Sequence, residues 1–331
     1  MGPHSPVSQF RNMLPHSSTP SIREYVAAVQ ANGVRVLEGS NGTFWTAYES
    51  WAMARYPTFH IGPVAPEEST KILWRGHVAA TSYLLDPDKS HPANASLYMC
   101  SDPEYSVDKL APAVRRNIRR GYNSLKIEPI SATDLLANGM LAFCDTRKRI
   151  GLSDGTPEVF QKRFTARAGC IGHGFLGAWK DHLLAAFLSV TEVDDWVEIE
   201  GCFSANAALP LRANDALMAY ALSHYMESKH CRLVSYGLSS IQSGSNLEGL
   251  HRFKTKVGFQ ARRVHRAFTF HPVLRPFLNR STQDVLVTLL RWIPGNPRLK
   301  KIEGVLAIVM SERRHRDAKR DGQQTELKNV S

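Results

Sequence analysis

Residues 196–203, WVEIEGCF, carry glutamates at positions 198 and 200. Side chains of a strand alternate between faces, so Val197 and Ile199 point one way while Trp196, Glu198 and Glu200 point the other. Two carboxylates projecting together can take a proton from a nucleophile; the plainer alternative is a polar pair on a half-buried strand. Tyr236 closes the strand-like CRLVSYG, where a phenol can protonate a leaving group, although a buried core tyrosine is the commoner outcome. Lys254 falls within LHRFKTKVGF, residues 250–259, near the end of a helix where a cation also suits the dipole. Arg252 and Lys256 fit that second reading. Phe253 reads as a core residue, and Gly258 as a helix terminator with positive φ.

Other chemistry has less support. GHGFLG, residues 172–177, has the glycine spacing of a dinucleotide loop. Its glycines lead into strands, whereas phosphate binding needs them to open a helix. The chain contains no phosphate-binding G-x-x-x-x-G-K-S/T loop and no G-x-S-x-G elbow. Five scattered cysteines and thirteen histidines lack zinc spacing, so no metal is expected and the thiols read as reduced.

The chain has 331 residues, 43% hydrophobic and 21% charged, an ordinary balance for a folded protein. Its net charge of +11 is uneven: from residue 261 onward 15 Lys and Arg face 6 Asp and Glu, which gives +9 there and +2 before it. Such an end can meet nucleic acid, an anionic membrane surface or an acidic substrate; a solvated, partly disordered tail is the alternative. No apolar run reaches the length of a bilayer span, and no leader pattern opens the sequence. The expectation is a cytoplasmic protein, with the inner membrane face as a peripheral site.

The elements that must hold these residues follow from periodicity. A loose stretch at 1–18 precedes an α/β lobe at 19–104, whose first helix opens after a Thr19-Pro20 cap. Residues 105–270 read as a basic helix, a strand, two helices, three strands meandering through turns at Lys180-Asp181 and Asp194-Asp195, an oily helix over 208–230, a strand, a helix and a strand. A capped helix opening at Ser281 and an apolar segment make up 271–310, and a basic flexible tail ends the chain at 311–331. The order predicts an α/β, three-layer fold around a mostly antiparallel sheet.

Two stretches then carry a resemblance. Phe253-Lys254-Thr255-Lys256-Val257-Gly258 is similar to the Phe-Lys-x-x-x-Gly element of FemABX-like proteins, a branch of the GNAT (Gcn5-related N-acyltransferase) superfamily. LAPAVRRNIRRGYNSLKIEPI, with Arg115, Arg116, Arg119 and Arg120, resembles their basic helix before the first strand. The resemblance implies a splayed central sheet, a degenerate GNAT-like repeat in the N-terminal lobe, and transfer of an acyl group from acyl-CoA, or an aminoacyl group from aminoacyl-tRNA, to the amine of a small molecule or peptide. It implies Glu198 or Glu200 as base, Lys254 at the oxyanion or at a phosphate, and a carrier held near Phe203, Ser204, Arg212, Ala213 and Asn214. One departure stands out: SANAALPLRANDAL, which precedes and opens the helix expected to grip CoA pyrophosphate, contains no glycine.

Overall fold

The computed structural model describes residues 19–239 and 247–329, with side chains as far as Arg314. In chain order the elements are α1 (Ile22–Ala31), β1 (Val36–Glu38), β2 (Phe44–Glu49), β3 (Ala52–Tyr56), α2 (Pro66–Gly76), β4 (Ala80–Leu85) and β5 (Ala95–Cys100). Then come α3 (Pro112–Ser124), β6 (Lys126–Pro129), α4 (Ala132–Asn138), α5 (Met140–Arg149), α6 (Pro157–Ala168), β7 (His173–Lys180), β8 (Leu183–Val193) and β9 (Trp196–Ser204). The last are α7 (Ala213–Leu222), β10 (Leu233–Leu238), α8 (Leu247–Lys256), β11 (Gln260–Phe270), α9 (Arg280–Trp292) and α10 (Pro297–Asn329).

Two compact units divide the chain, one over 1–34, 97–239 and 247–262, the other over 35–96, 240–246 and 263–331. They interleave, where the sequence reading runs its domains consecutively. Helix α1 joins the first unit because the chain before it is tied to the β8–β9 turn: Asp194 N–H donates to Pro20 O at 2.9 Å, and Ile22 N–H to Asp194 Oδ1 at 3.3 Å. The true cap of α1 is Ser21, in a reciprocal capping box with Glu24. In the second unit β11 pairs with β4 from His265 to Phe270, Lys301 is ion-paired with Glu49, and Val305, Leu306 and Val309 of α10 are buried. The start of α10 is therefore part of that unit's core.

The second unit's sheet runs β1-β2-β3-β4-β11, antiparallel except for β3–β4. The first unit's sheet runs β5-β10-β9-β8-β7-β6, antiparallel except for β10–β9. The meander turns as the sequence indicates, with Asp181 and Asp194 at φ 53° and 48°, a conformation that short polar side chains tolerate best. One face of this sheet packs on α7 through Leu188, Val190, Val197 and Ile199. The opposite face holds an aromatic core of Phe143, Phe160, Phe164, Phe187 and Phe203.

Several elements differ from the sequence reading. The helix drawn over 208–230 is a 3₁₀ stretch to Leu211, a left-handed Arg212 (φ 62°), α7, and a π turn over 223–228, because Pro210 and Arg212 interrupt the α geometry. Gly139 breaks the helix over 133–151 into α4 and α5. Asn279, accepting from Thr282 N–H, caps α9 in place of Ser281. Strand β3 falls where the sequence suggests no element. The basic tail continues α10 to Asn329, and residues 240–246 lie outside the described residues.

Candidate active site

Strands β9 and β10 run parallel for three pairs only: Trp196 with Leu233, Val197 with Val234, and Glu198 with Ser235. Beyond that point β9 continues to Ser204 and β10 to Leu238 without pairing to each other. The cause lies in both strands. On β9, Ile199 pairs with Val190 and Gly201 with Ser189, so Glu200 is an extra residue that bulges the strand. On β10, Ser235 and Leu238 pair with Met99 and Leu97 of β5, which again inserts one residue, next to Gly237 at φ +64°. A bulge bends its strand and increases local twist. Two bulges just past the last shared pair bend the strands apart and leave a wedge.

Lys254 of α8 fills the β10 side of that wedge. It is 7% exposed, and its ammonium donates to Tyr236 O at 2.9 Å and Leu238 O at 3.4 Å, two carbonyls at the unpaired end of β10. The ring centroids of Tyr98 and Tyr236 lie 4.3 and 4.4 Å from Nζ. Among the described residues no carboxylate lies within ion-pair distance, and burial lowers the lysine to about 8. A buried cation has a strong demand for donors' partners, and one ammonium proton is left to meet a third acceptor.

Tyr236 packs on Phe259, and burial, then the neighbouring Cys202, raises its phenol well above the ordinary range. It remains a donor throughout the neutral range. Cys202, on the facing strand, is pushed up to about 12 by burial, with Arg149 opposing and Asp215 adding; its Sγ lies 3.5 Å from Asn214 Oδ1. Cys202 thus neighbours both Tyr236, beside Lys254, and Asn214, in the first turn of α7. Behind the lysine, Tyr98 Oη lies 3.1 Å from His251 Nδ1.

The two glutamates separate. Glu198 is buried at the apex of the wedge, in the last pair before the strands part. Glu200 binds Arg167 Nε at 2.8 Å and accepts from Thr191 Oγ1 at 2.8 Å, with His173 Nδ1 3.7 Å away. Burial raises its pKa, but His173, Arg167, the Thr191 hydroxyl and Arg163 outweigh this and hold it below the ordinary carboxylate range. A carboxylate so committed is a poor base; Glu200 is the counter-ion of a buried cationic cluster. Arg163 is itself lowered to about 10 by burial, and His173 to about 4.

The expected carrier-binding residues also divide. The side chain of Phe203 stacks on Phe187 at 4.8 Å within the aromatic core. Ser204 N–H donates to Thr146 Oγ1 at 2.8 Å, and Arg149 donates to Ser204 Oγ at 2.9 Å, so its polar groups are already satisfied. Arg212 is exposed at the N-cap of α7, Ala213 is buried, and Asn214 faces Cys202. The first turn of α7 also holds Asp215, a buried acid ion-paired with Lys256 at 2.6 Å. An acid there occupies the end of the dipole that an anion would otherwise use.

Helix α3 adds positive charge beside this turn. At Gly121 a Cβ would sit 2.4 Å from that of Ala216 and 3.1 Å from Arg212 O, so only glycine allows the approach that pins α3 to the start of α7. Arg115, Arg116, Arg119 and Arg120, with Asn123 and Ser124, border a shallow basin of about 590 Å³. Sequence reasoning missed Tyr98, Cys202, Arg149 and His251, whose positions depend on strand pairing and carry no local spacing signal.

Two solved structures share this architecture. The C-terminal domain of a putative lysylphosphatidylglycerol synthetase from Agrobacterium fabrum is 15% identical over 78% of this chain and 91% of its own, with a TM-score of 0.53. FemX is 10% identical over 81% of this chain and 96% of its own, with a TM-score of 0.50. The fold is GNAT-like, of the FemABX-like kind. No protein-family model matches the sequence, and no curated protein matches it either. In this GNAT-like fold the wedge between β9 and β10, the start of α7 and the lysine of α8 belong to one unit of the chain. Among the described residues no group of three potential metal ligands occurs.

Proposed function

We propose that the protein transfers an acyl or aminoacyl group from a phosphate-bearing carrier to the amine of a small molecule or peptide, with Lys254 facing the developing oxyanion. The observation that carries this reading is a buried ammonium at the open end of the wedge with no carboxylate among the described residues to neutralise it. In the reaction the amine nitrogen bonds to the acyl carbon as the carbon–oxygen bond of an ester, or the carbon–sulfur bond of a thioester, breaks. Glu198 takes the amine proton, directly or through water, and the neutral Tyr236 phenol gives one to the leaving group. The third Lys254 proton stabilises the negative charge on the carbonyl oxygen between those events.

Aminoacyl-tRNA is the better-supported carrier. The glycine-free approach to α7, the Asp215–Lys256 pair in its first turn and the arginine stripe of α3 all favour a long phosphate backbone over a compact pyrophosphate grip. Likeness of fold to FemX and to a putative lysylphosphatidylglycerol synthetase is in keeping with that preference. Such a donor puts the reaction in the cytoplasm. Acyl-CoA is the second reading, favoured by exposed Arg212 at a helix start.

The test is to incubate the protein with tRNA charged with labelled amino acids, and separately with labelled acyl-CoAs, in the presence of amine-bearing peptides and small amines. Label transferred from tRNA and lost in Lys254→Met supports the proposal. Label from acyl-CoA alone selects the second donor, and transfer from neither rejects both.

A further inference from the structure

Helix α9 turns an apolar face outward. Its inner side is half-buried at Gln283, Leu286 and Leu290, with Gln283 Nε2 3.4 Å from Glu303 Oε1 of α10. On its other side Val285, Leu289 and Trp292 lie at i, i+4 and i+7 and are 58%, 41% and 81% exposed. Phe277, just before the helix, and Ile293, just after it, are exposed as well. No residue of α9 is buried. Isolated exposed apolar residues are common, but three on one helix face, with two more exposed at its ends, mark an interaction surface.

The charge around this stripe is predominantly positive. Arg275, Arg280, Arg291 and Arg298 are all exposed, and the sole acid between residues 271 and 300 is Asp284. We propose that this face docks on an anionic phospholipid bilayer, with the Val285–Leu289–Trp292 stripe in the acyl boundary and the arginines among the headgroups. Other occupants fit less well. A second copy would bring one ring of arginines against another, and a nucleic-acid backbone would leave the aliphatic positions in water. At 13 residues α9 lies on a membrane and does not cross it, since a span takes about 20; among the described residues no helix is long and apolar enough to cross. The inference is independent of the transferase reading, because it concerns binding alone.

The test is flotation of the full chain with vesicles of phosphatidylcholine, and with vesicles in which half of that lipid is replaced by phosphatidylserine or by phosphatidylglycerol. Binding is expected to both anionic compositions and not to phosphatidylcholine. Trp292→Glu and Leu289→Glu, both on exposed positions, should lower partitioning at least about tenfold at an unchanged melting temperature. Arg291→Ala with Arg298→Ala should lower it about thirtyfold. Absence of flotation with either anionic lipid overturns the proposal, as does binding unaffected by the Glu substitutions. Binding to phosphatidylglycerol alone would overturn it in favour of a headgroup-specific site. If the chain is a dimer that Trp292→Glu converts to monomers, while neither form binds vesicles, the face is a self-association surface and the proposal fails.

Discussion

Lys254 Nζ lies 2.9 Å from the carbonyl oxygen of Tyr236, so the side chain that faces the wedge also satisfies the backbone that the wedge leaves unpaired. The two duties have opposite energetic signs. Burying the ammonium destabilises the fold, while its two bonds to carbonyls stabilise it. Lys254→Met should therefore cut transfer by about 10²–10³-fold, the effect of losing one oxyanion donor, yet change stability by less than about 2 kcal/mol because relief of the buried charge offsets the lost bonds. Single-turnover rates and urea melts on the same preparation check this; equal loss of rate and fold would make the lysine structural.

The same burial sets a pH limit. With its pKa lowered from 10.5 to about 8, Lys254 loses its proton as pH rises through 8. Transfer should fall on that alkaline limb, although amine acceptors become more nucleophilic there. Stability should move the other way, rising between pH 8 and 10.5, because the unfolded chain holds a proton that the native lysine has released. A rate that climbs steadily to pH 10 would remove Lys254 from the mechanism.

Acid should weaken the fold well above the ordinary carboxylate range. Burial lowers His173 and His224 from 6.5 to about 4, with Glu200 opposing and Arg167 and Arg163 adding at His173, and with Lys229 adding and Glu192 opposing at His224. Between pH 6.5 and 4 the unfolded chain binds protons that the native rings refuse, so stability is complete above 6.5 and is lost as pH falls. His173, the more enclosed, should account for about 3 kcal/mol of that loss. Thermal melts from pH 7.5 to 4.5 read the slope, and His224→Phe should flatten it.

Gly258 stands at φ +117°, and a Cβ there would meet Tyr105 Cε2 at 2.5 Å. Gly258→Ala should cost about 1–3 kcal/mol through backbone strain, with the clash adding to it. Tyr105 cannot easily yield, since its hydroxyl bonds Val257 O at 3.0 Å. A melting temperature equal to that of the parent would refute this account of the glycine.

If the carrier is tRNA, Arg116→Ala with Arg120→Ala should weaken binding across all tRNA sequences and reduce the salt slope by about 1.4–1.8. Binding measured from 50 to about 200 mM salt gives that slope. An unchanged slope would remove α3 from the carrier path.

The amino-acid sequence by itself determined the local order of this protein: alternation set the β7–β8–β9 meander, Asp181 and Asp194 marked its turns, and Gly258 marked the end of α8. It also marked Lys254, though not its environment. Pairing decided the rest. Glu200 leaves the side of Glu198 in function because a bulge and Arg167 claim it, and Tyr98 reaches Lys254 because β5 lies antiparallel to β10. Local patterns record which face a residue takes, since that depends on near neighbours. Which strand lies alongside, where a ladder stops and which charge is left without a partner are settled by contacts between residues tens to more than a hundred positions apart, and only the tertiary structure holds them.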